Sequence, residues 1–114
     1  MPKIEIVKSL VLDIKKKFSK TEANKVIDLI QTLEIHPQKG KILGSVGGIL
    51  IKEIKYLGFR FYFITDGFKL KLIDEKSLLD LLIKFVRMSN KKEQQKTISE
   101  IKHILQTIGP EGFS

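Results

Sequence analysis

The period of the apolar residues changes along this chain, and this change restricts the possible folds more than any other feature. Between Leu10 and Leu33 the apolar side chains recur every three or four residues, as on one face of a helix. From Ile49 to Ile73 they fall in short β-branched and aromatic runs separated by turn residues, a pattern that is typical of antiparallel strands. A chain that passes from the helical to the strand period is expected to form an α+β domain.

Two consecutive helices are predicted near the amino terminus, after a short strand at residues 3–7. The first helix follows a cap at Ser9, and the second follows Ser19 or Thr21 and ends before Pro37. Their apolar stripes are Leu10, Val11, Ile14 and Phe18 in the first helix and Ala23, Val26, Ile27, Ile30 and Leu33 in the second. Since only a short turn separates the two helices, we expect them to pair antiparallel as a hairpin.

Three strands are predicted next, at residues 49–57, 59–65 and 68–73. Gly58 separates the first two strands. Asp66-Gly67 separates the second from the third and is a dipeptide that favours a type I′ turn. The three strands are therefore expected to form an antiparallel meander.

The last third of the chain contains one ambiguous segment. After a turn predicted at 74–77, residues 78–88 fit both a helix and the alternation of a strand, and we favour a strand because it follows a meander. A final helix is predicted from a cap at Asn90 to Gly109-Pro110, with residues 109–114 as a flexible tail. Its apolar stripe is Ile98, Ile101, Leu105 and Ile108.

The glycine-rich segment 36–48 carries no phosphate-binding signature. A Walker loop needs Gly-Lys-Ser/Thr after its four-residue gap, but Gly44 is followed by Ser45 and Val46. The glycine pattern of a dinucleotide-binding turn is missing as well. The segment is therefore predicted to be a flexible connector.

The composition excludes several classes of function. The chain has no cysteine, and its two histidines, His36 and His103, lie in different regions. We therefore expect no disulfide, no thiol chemistry, no metal site and no cofactor. Neither a signal peptide nor a membrane-spanning run is recognised, which predicts a cytoplasmic protein with no membrane partner. The length of 114 residues favours a single domain over residues 1–114.

The positive charge indicates a possible polyanionic partner. The formal net charge is +8, from 21 Lys+Arg and 13 Asp+Glu. Such a charge favours binding to nucleic acid, because neutralised phosphates release counterions. The lysines can equally be solvated surface residues, and we interpret the triplet at 15–17 in that way because it lies largely opposite an apolar stripe. Charge alone leaves both interpretations open.

Three motifs follow the second helix: Ile51-Lys52-Glu53-Ile54-Lys55, Arg60-Phe61-Tyr62-Phe63 and Phe85-Val86-Arg87-Met88-Ser89-Asn90-Lys91-Lys92. The order of these motifs resembles that of the RelE/ParE toxin superfamily. They are most similar to those of the phage-derived Gp49-like and HigB-like branch. In this chain Lys55 replaces the usual arginine and Met88 replaces a lysine. The tyrosine that many ribosome-dependent members carry on the last helix is absent, and Thr97 lies near its position.

The resemblance implies both a fold and a function. The implied fold has an N-terminal strand and an α-helical hairpin packed on a twisted antiparallel sheet, with a C-terminal helix. The implied function is that of a type II toxin, a metal-independent mRNA endonuclease that acts on ribosome-bound message and is neutralised by an acidic antitoxin in a hetero-oligomer. Two alternatives stay open, a ParE-like topoisomerase inhibitor and a non-catalytic nucleic-acid-binding module.

Strand alternation places the candidate site residues together. Glu53 and Lys55 share one face of their strand, Arg60 and Tyr62 share one face of the next, and the turn between the strands can make these four groups converge, with Arg87 nearby. The alternative is an ordinary cross-strand ion-pair cluster on a half-exposed sheet.

RNA cleavage by such a group assigns a role to each residue. The candidate catalytic residues are Glu53 as general base, with Arg60 and Arg87 as clamps on the developing phosphorane charge. Lys55 or Lys91 is the candidate acid or backbone anchor. The candidate RNA-binding residues are Lys52, Lys55, Tyr62, Lys91 and Lys92.

Overall fold

The computed structural model describes residues 2–71 and 81–114, which form an α+β fold around a five-stranded sheet. The strands are β1 (Lys3–Ile6), β2 (Lys41–Val46), β3 (Ile49–Tyr56), β4 (Phe59–Asp66) and β5 (Leu82–Asn90). The helices are α1 (Lys8–Lys17), α2 (Lys20–Gln31), α3 (Gly67–Lys71) and α4 (Gln94–Thr107), with short 3-10 turns at Thr32–Glu34 and Pro110–Gly112. The predicted α+β class is confirmed.

The strands lie in the order β1-β5-β4-β3-β2 across the sheet. β1 runs parallel to β5, and the other three neighbouring pairs are antiparallel. The sheet is therefore mixed, and the prediction of an antiparallel sheet is wrong at β1. Strand β1 pairs with β5, which lies far from it along the chain. No local pattern in the sequence indicates a pairing between such distant strands.

The helices α1 and α2 form the predicted antiparallel hairpin. The Ser19 hydroxyl accepts a hydrogen bond from the Glu22 amide (3.2 Å), so Ser19 rather than Thr21 caps α2, whereas Ser9 lies inside α1. Near the start of α2, the Glu22 carboxylate accepts a hydrogen bond from the Tyr56 hydroxyl at the end of β3 (2.7 Å). The turn after α2 lies against β1. Helix α2 therefore runs back toward β1, the strand that precedes α1.

The two faces of the sheet are covered by different elements. Phe61, Phe63 and Phe85 are fully buried, and the Phe61 ring lies 6.2 Å from that of Phe18, which follows α1. We call this side the hairpin face. Residues of opposite alternation, such as Glu53, contact α4 on the other side, which we call the α4 face. The candidate catalytic residues Glu53, Arg60 and Arg87 therefore lie on the face that the C-terminal helix covers.

The predicted flexible connector contains a strand, which corrects the sequence-based interpretation. Residues Lys41–Val46 pair with β3, and the register shifts between Ile42 and Gly44. Gly47 and Gly48 have φ values of 56° and 84° and form the turn into β3. The glycines mark an irregular edge strand and its turn, and this irregularity masked the strand pattern.

The strand predicted at 68–73 is wrong over its described part, because Gly67–Lys71 form helix α3. A carboxylate oxygen of Asp66 accepts hydrogen bonds from the amides of Phe68 (2.9 Å) and Lys69 (3.1 Å). Asp66 thus caps a helix, and Gly67 lacks the positive φ that a type I′ turn requires. The remaining residues of this strand and the turn predicted at 74–77 lie outside the described residues.

The C-terminal segment confirms some predictions and corrects others. The strand preferred for 78–88 is confirmed over the described part, where β5 covers Leu82–Asn90. Helix α4 buries Ile98, Ile101 and Leu105 as predicted, but Ile108 is exposed. The predicted flexible tail is instead packed, since Phe113 is 5% exposed and the Lys84 ammonium donates to the Pro110 carbonyl (2.9 Å). A single aromatic residue near the chain end, Phe113, provides the apolar anchor for the tail.

Candidate functional site

The β3–β4 hairpin brings the predicted site residues together. In its register Glu53 lies opposite Tyr62, and Lys55 lies opposite Arg60. The Arg60 Nε atom is 3.9 Å from the Glu53 Oε2 atom. The alternation in the sequence therefore predicted this juxtaposition, which follows from the tight turn at residues 57–58 and the period of two along each strand.

Strand β5 adds a residue that the sequence interpretation missed. Ser89 lies opposite Arg60 in the register, and its hydroxyl is 2.7 Å from the Tyr62 hydroxyl. Because the Ser89 hydroxyl donates to the Asn90 carbonyl (2.9 Å), it accepts from Tyr62. We call Glu53, Arg60, Tyr62 and Ser89 the buried polar cluster. In the sequence, nothing indicated a role for Ser89 in the site, because it is only one position within a motif that was interpreted as the end of a strand.

The buried polar cluster is almost closed to solvent. Glu53 is 2%, Arg60 8% and Tyr62 0% exposed. From the first turn of α4, the Gln94 side-chain amide donates to the Glu53 carboxylate (3.2 Å). Burial raises the pKa of the Tyr62 hydroxyl above its ordinary value, because the phenolate form is poorly solvated there. The alternative interpretation was an ordinary cross-strand ion-pair cluster on a half-exposed sheet. The cross-strand pair is present, but it is buried instead of half-exposed.

The hydrogen bonding of the cluster is incomplete. Among the described residues, neither the second carboxylate oxygen of Glu53, Oε1, nor the Arg60 Nε atom has a hydrogen-bond partner. Buried polar atoms are satisfied in most native structures, and an unsatisfied one costs about 1–3 kcal/mol or more when charged. Each of these two atoms can accept or donate one further hydrogen bond, to a water molecule or to a bound group.

Arg87, the second predicted clamp, is held by other groups. Its Nε atom donates to the Glu100 carboxylate (2.7 Å), and its Nη1 atom donates to the Val86 carbonyl (2.7 Å). Its guanidinium also lies 5.3 Å from the centre of the Phe113 ring. Although Arg87 lies opposite Tyr62 in the register, its described partners are on α4, the tail and its own strand. The structure therefore pairs Arg60 with Glu53 but directs Arg87 elsewhere.

The predicted RNA-binding lysines differ in their exposure to solvent. Lys52 is 1% exposed on the hairpin face, where its ammonium donates to the Gln38 carbonyl (3.0 Å) and lies 5.7 Å from the centre of the Phe63 ring. Burial lowers the pKa of this ammonium. Lys55 is exposed beside Arg60, and Lys91 and Lys92 are exposed before α4. Lys52 and Tyr62 are thus closed to RNA in this structure, whereas the other three lysines are accessible.

A cleft of about 390 Å³ lies beside the buried polar cluster. It separates the end of α1 from the first turns of α4 and has the end of β5 as its floor. The lining residues are Asp13, Lys16, Lys17, Phe59, Met88, Ser89, Asn90, Glu93, Lys96, Thr97 and Glu100. Ser89 belongs to both the cleft and the cluster, whereas Glu53, Arg60 and Tyr62 are buried behind the cleft and do not line it.

The cleft exists because β1 is short. β1 pairs with β5 only over Leu82–Phe85, so among the described strands Val86–Asn90 has β4 as its single neighbour. Lys16 and Lys17 of the triplet at 15–17 line this cleft, although the sequence interpretation assigned them to solvent alone. No local pattern in the sequence could have found them, because the cleft forms between α1 and α4, which are distant along the chain.

Comparisons of this chain with protein-family models, curated proteins and solved structures gave no match. Within residues 2–71 and 81–114, no group of three or more metal-binding side chains lies together. No helix in this part of the chain is long and apolar enough to cross a membrane. Inferences about function therefore come from the geometry of the site and from the sequence motifs.

Proposed function

We propose that this protein is the toxin of a type II toxin-antitoxin system with a RelE/ParE-like arrangement, and that it cleaves ribosome-bound mRNA in the cytoplasm. The observation that carries the proposal is the buried pair of Glu53 and Arg60, 3.9 Å apart on adjacent strands and beside a cleft with three lysines. A carboxylate and a guanidinium supply a base and an anion clamp. The cleft beside them is lined by Lys16, Lys17 and Lys96 and by an equal number of carboxylates, Asp13, Glu93 and Glu100.

The proposed chemistry needs no metal ion. Glu53 takes the proton from a ribose 2′-hydroxyl, whose oxygen attacks the adjacent phosphorus. The Arg60 guanidinium stabilises the charge on the phosphorane oxygens, for which its fork of donors is suited. The bond to the 5′-oxygen breaks, and Lys55 or Lys91 gives that oxygen a proton. The products are a 2′,3′-cyclic phosphate and a free 5′-hydroxyl.

The cleft provides the proposed RNA-binding surface. Lys16 and Lys17 on one wall and Lys96 on the other can neutralise successive phosphates of a single strand. Arg87 can join as a second clamp once a phosphate competes with Glu100 for its guanidinium. In this proposal the cleft lysines replace Lys52 and Tyr62, two of the residues that the sequence interpretation assigned to RNA and that are buried in this structure.

The proposed partner is an acidic antitoxin. The net charge of +8 favours an acidic segment, since opposite potentials speed association. The unpaired end of β5 accepts an added strand, and a segment bound there occludes the cleft. Coexpression with the adjacent reading frame and size-exclusion chromatography test this proposal. One stable complex without RNA binding supports it, and separate elution of two folded proteins contradicts it.

Burial favours a second candidate function, a non-catalytic nucleic-acid-binding module. Glu53 and Tyr62 are closed to solvent in this structure, and Thr97 stands near the position where many ribosome-dependent members of the RelE/ParE superfamily carry a tyrosine. A module of this kind binds RNA through the cleft lysines without cleaving it. A ParE-like topoisomerase inhibitor is the remaining alternative. Its expression in cells would cause DNA damage, whereas expression of the proposed nuclease causes cleavage of message.

Controlled expression in cells tests the proposed function. Wild type is expected to arrest translation, and Glu53→Gln, which keeps the size of the side chain and removes the base, is expected to abolish the arrest. Glu5→Gln on the exposed β1 strand is the matched control and should leave the arrest unchanged. Arrest that persists in Glu53→Gln contradicts the proposed role of this carboxylate.

A further inference from the structure

We propose that the first turn of α4, Gln94–Thr97, is a gate over the Glu53–Arg60 pair, and that it opens while the rest of α4 stays packed. The gate depends on the proposed function only for its biological purpose, which is access of RNA to the pair. The physical basis of the gate lies in the contacts of α4.

The gate covers the pair through one hydrogen bond. The Gln94 side-chain amide donates to Glu53 Oε2 at 3.2 Å, near the upper limit for such bonds. Below this contact Glu53 is 2% exposed and Arg60 is 8% exposed. An RNA phosphate therefore reaches the pair only after a neighbouring segment moves, and the turn that carries Gln94 is the segment of α4 that bonds to it.

The first turn is held by hydrogen bonds and not by buried apolar side chains. The Asn90 side chain, the predicted cap, accepts from the Glu93 amide (2.9 Å), and the Thr97 hydroxyl donates to the Glu93 carbonyl (3.0 Å). Glu93 itself makes no side-chain capping bond. Lys96 lies in the first turn, with Lys91 and Lys92 just before it, and positive charges at a helix N-terminus oppose the helix dipole. The buried side chains of α4 begin only at Ile98. Opening this turn thus exposes no fully buried apolar side chain of the helix.

The remainder of α4 is firmly attached. Ile101 is fully buried and Leu105 nearly so, and Glu100 holds Arg87 at 2.7 Å. The tail after the helix is fixed by the bond from Lys84 to the Pro110 carbonyl. Motion is therefore confined to Gln94–Thr97, and the hinge lies at Ile98.

The closed state also leaves the pair incompletely bonded. Within the described residues Glu53 Oε1 and Arg60 Nε have no hydrogen-bond partner. Unsatisfied charged groups in a buried site are costly, and opening gives both atoms access to water or to a phosphate. Loss of the hydrogen bond between Gln94 and Glu53 is therefore expected to favour the open state.

Thiol labelling tests the gate, because the chain has no cysteine of its own. The Ser89→Cys variant places a single thiol between the cleft and the pair. Adding Gln94→Ala should raise its labelling rate about tenfold, the effect of losing a hydrogen bond to a charged group. Adding Gln95→Ala, which changes the same residue type at an exposed neighbouring position, should leave the rate unchanged. Equal rates in all three proteins overturn the gate.

A second measurement avoids the substitution at Ser89. The exchange of the Arg60 Nε proton with water, followed by NMR, should be faster in Gln94→Ala than in wild type and unchanged in Gln95→Ala. Unchanged exchange in Gln94→Ala overturns the gate, whatever an RNA-cleavage assay shows. Faster exchange with no RNA cleavage in any variant supports the gate and contradicts the proposed nuclease function, so the two failures are distinguishable.

Discussion

The Arg60 guanidinium lies 3.9 Å from the Glu53 carboxylate in a position that the sheet and α4 almost close to solvent. An exposed cross-strand pair contributes about 1 kcal/mol or less to stability. When one partner of a buried pair is removed, the other charge is left without compensation, which typically costs about 3–5 kcal/mol. Burial therefore links the candidate catalytic residues to the stability of the fold.

Arg60→Ala is expected to lower the free energy of unfolding by about 3 kcal/mol, because Glu53 then remains as a buried charge without its partner. Urea denaturation monitored by circular dichroism measures this change. Glu5→Gln at an exposed site should stay within about 0.5 kcal/mol of wild type. A loss for Arg60→Ala as small as that of the control contradicts the buried pair.

Tyr62→Phe is expected to change how stability depends on alkaline pH. Burial raises the folded-state pKa of the Tyr62 hydroxyl, so its contribution is fully present below the unfolded value of about 10 and is lost as pH rises through the folded value. The fall in unfolding free energy above pH 10 should therefore be smaller in Tyr62→Phe. Urea titrations at pH 8, 10 and 11 compare the two proteins. Identical slopes argue against a buried hydroxyl at this position.

Two lysine substitutions separate the cleft from the hairpin face. Lys96→Met in the cleft should weaken binding to single-stranded RNA and reduce the salt slope by about 0.7, the value for one lost phosphate contact. Lys52→Met, at a buried lysine, should leave RNA affinity unchanged. Fluorescence anisotropy over a range of salt concentrations measures both. Weaker binding in Lys52→Met with no change in Lys96→Met contradicts the assignment of the cleft.

The sequence predicts part of the site and misses the rest for physical reasons. Period-two alternation on both sides of a tight turn determines which residues share a face, so the Glu53–Arg60 pair was predictable. The burial of Lys52 and the cover provided by Gln94 depend on contacts between distant segments, which no local pattern contains. An Asp side chain at position 66 is compatible with both a tight turn and a helix cap. The conformation of the backbone that follows Asp66 determines which of the two forms.

Phe113→Ala is expected to destabilise the protein by about 2–3 kcal/mol, at the lower end for a large-to-small change in a core, because the residue is buried close to the chain end. The interpretation of residues 109–114 as a flexible tail predicts no effect. Thermal unfolding compares Phe113→Ala with Ser114→Ala at the exposed last position. Equal melting temperatures contradict the packed tail.

Cleavage of ribosome-bound message in a reconstituted translation system tests the proposed function most directly. Primer extension on the message locates each break, and end-group analysis identifies the products. Wild type should produce fragments that end in a 2′,3′-cyclic phosphate, and Glu53→Gln should slow their formation by about 10²-fold or more, the effect of removing a general base. The absence of fragments with folded wild-type protein, or equal cleavage by Glu53→Gln, contradicts the account.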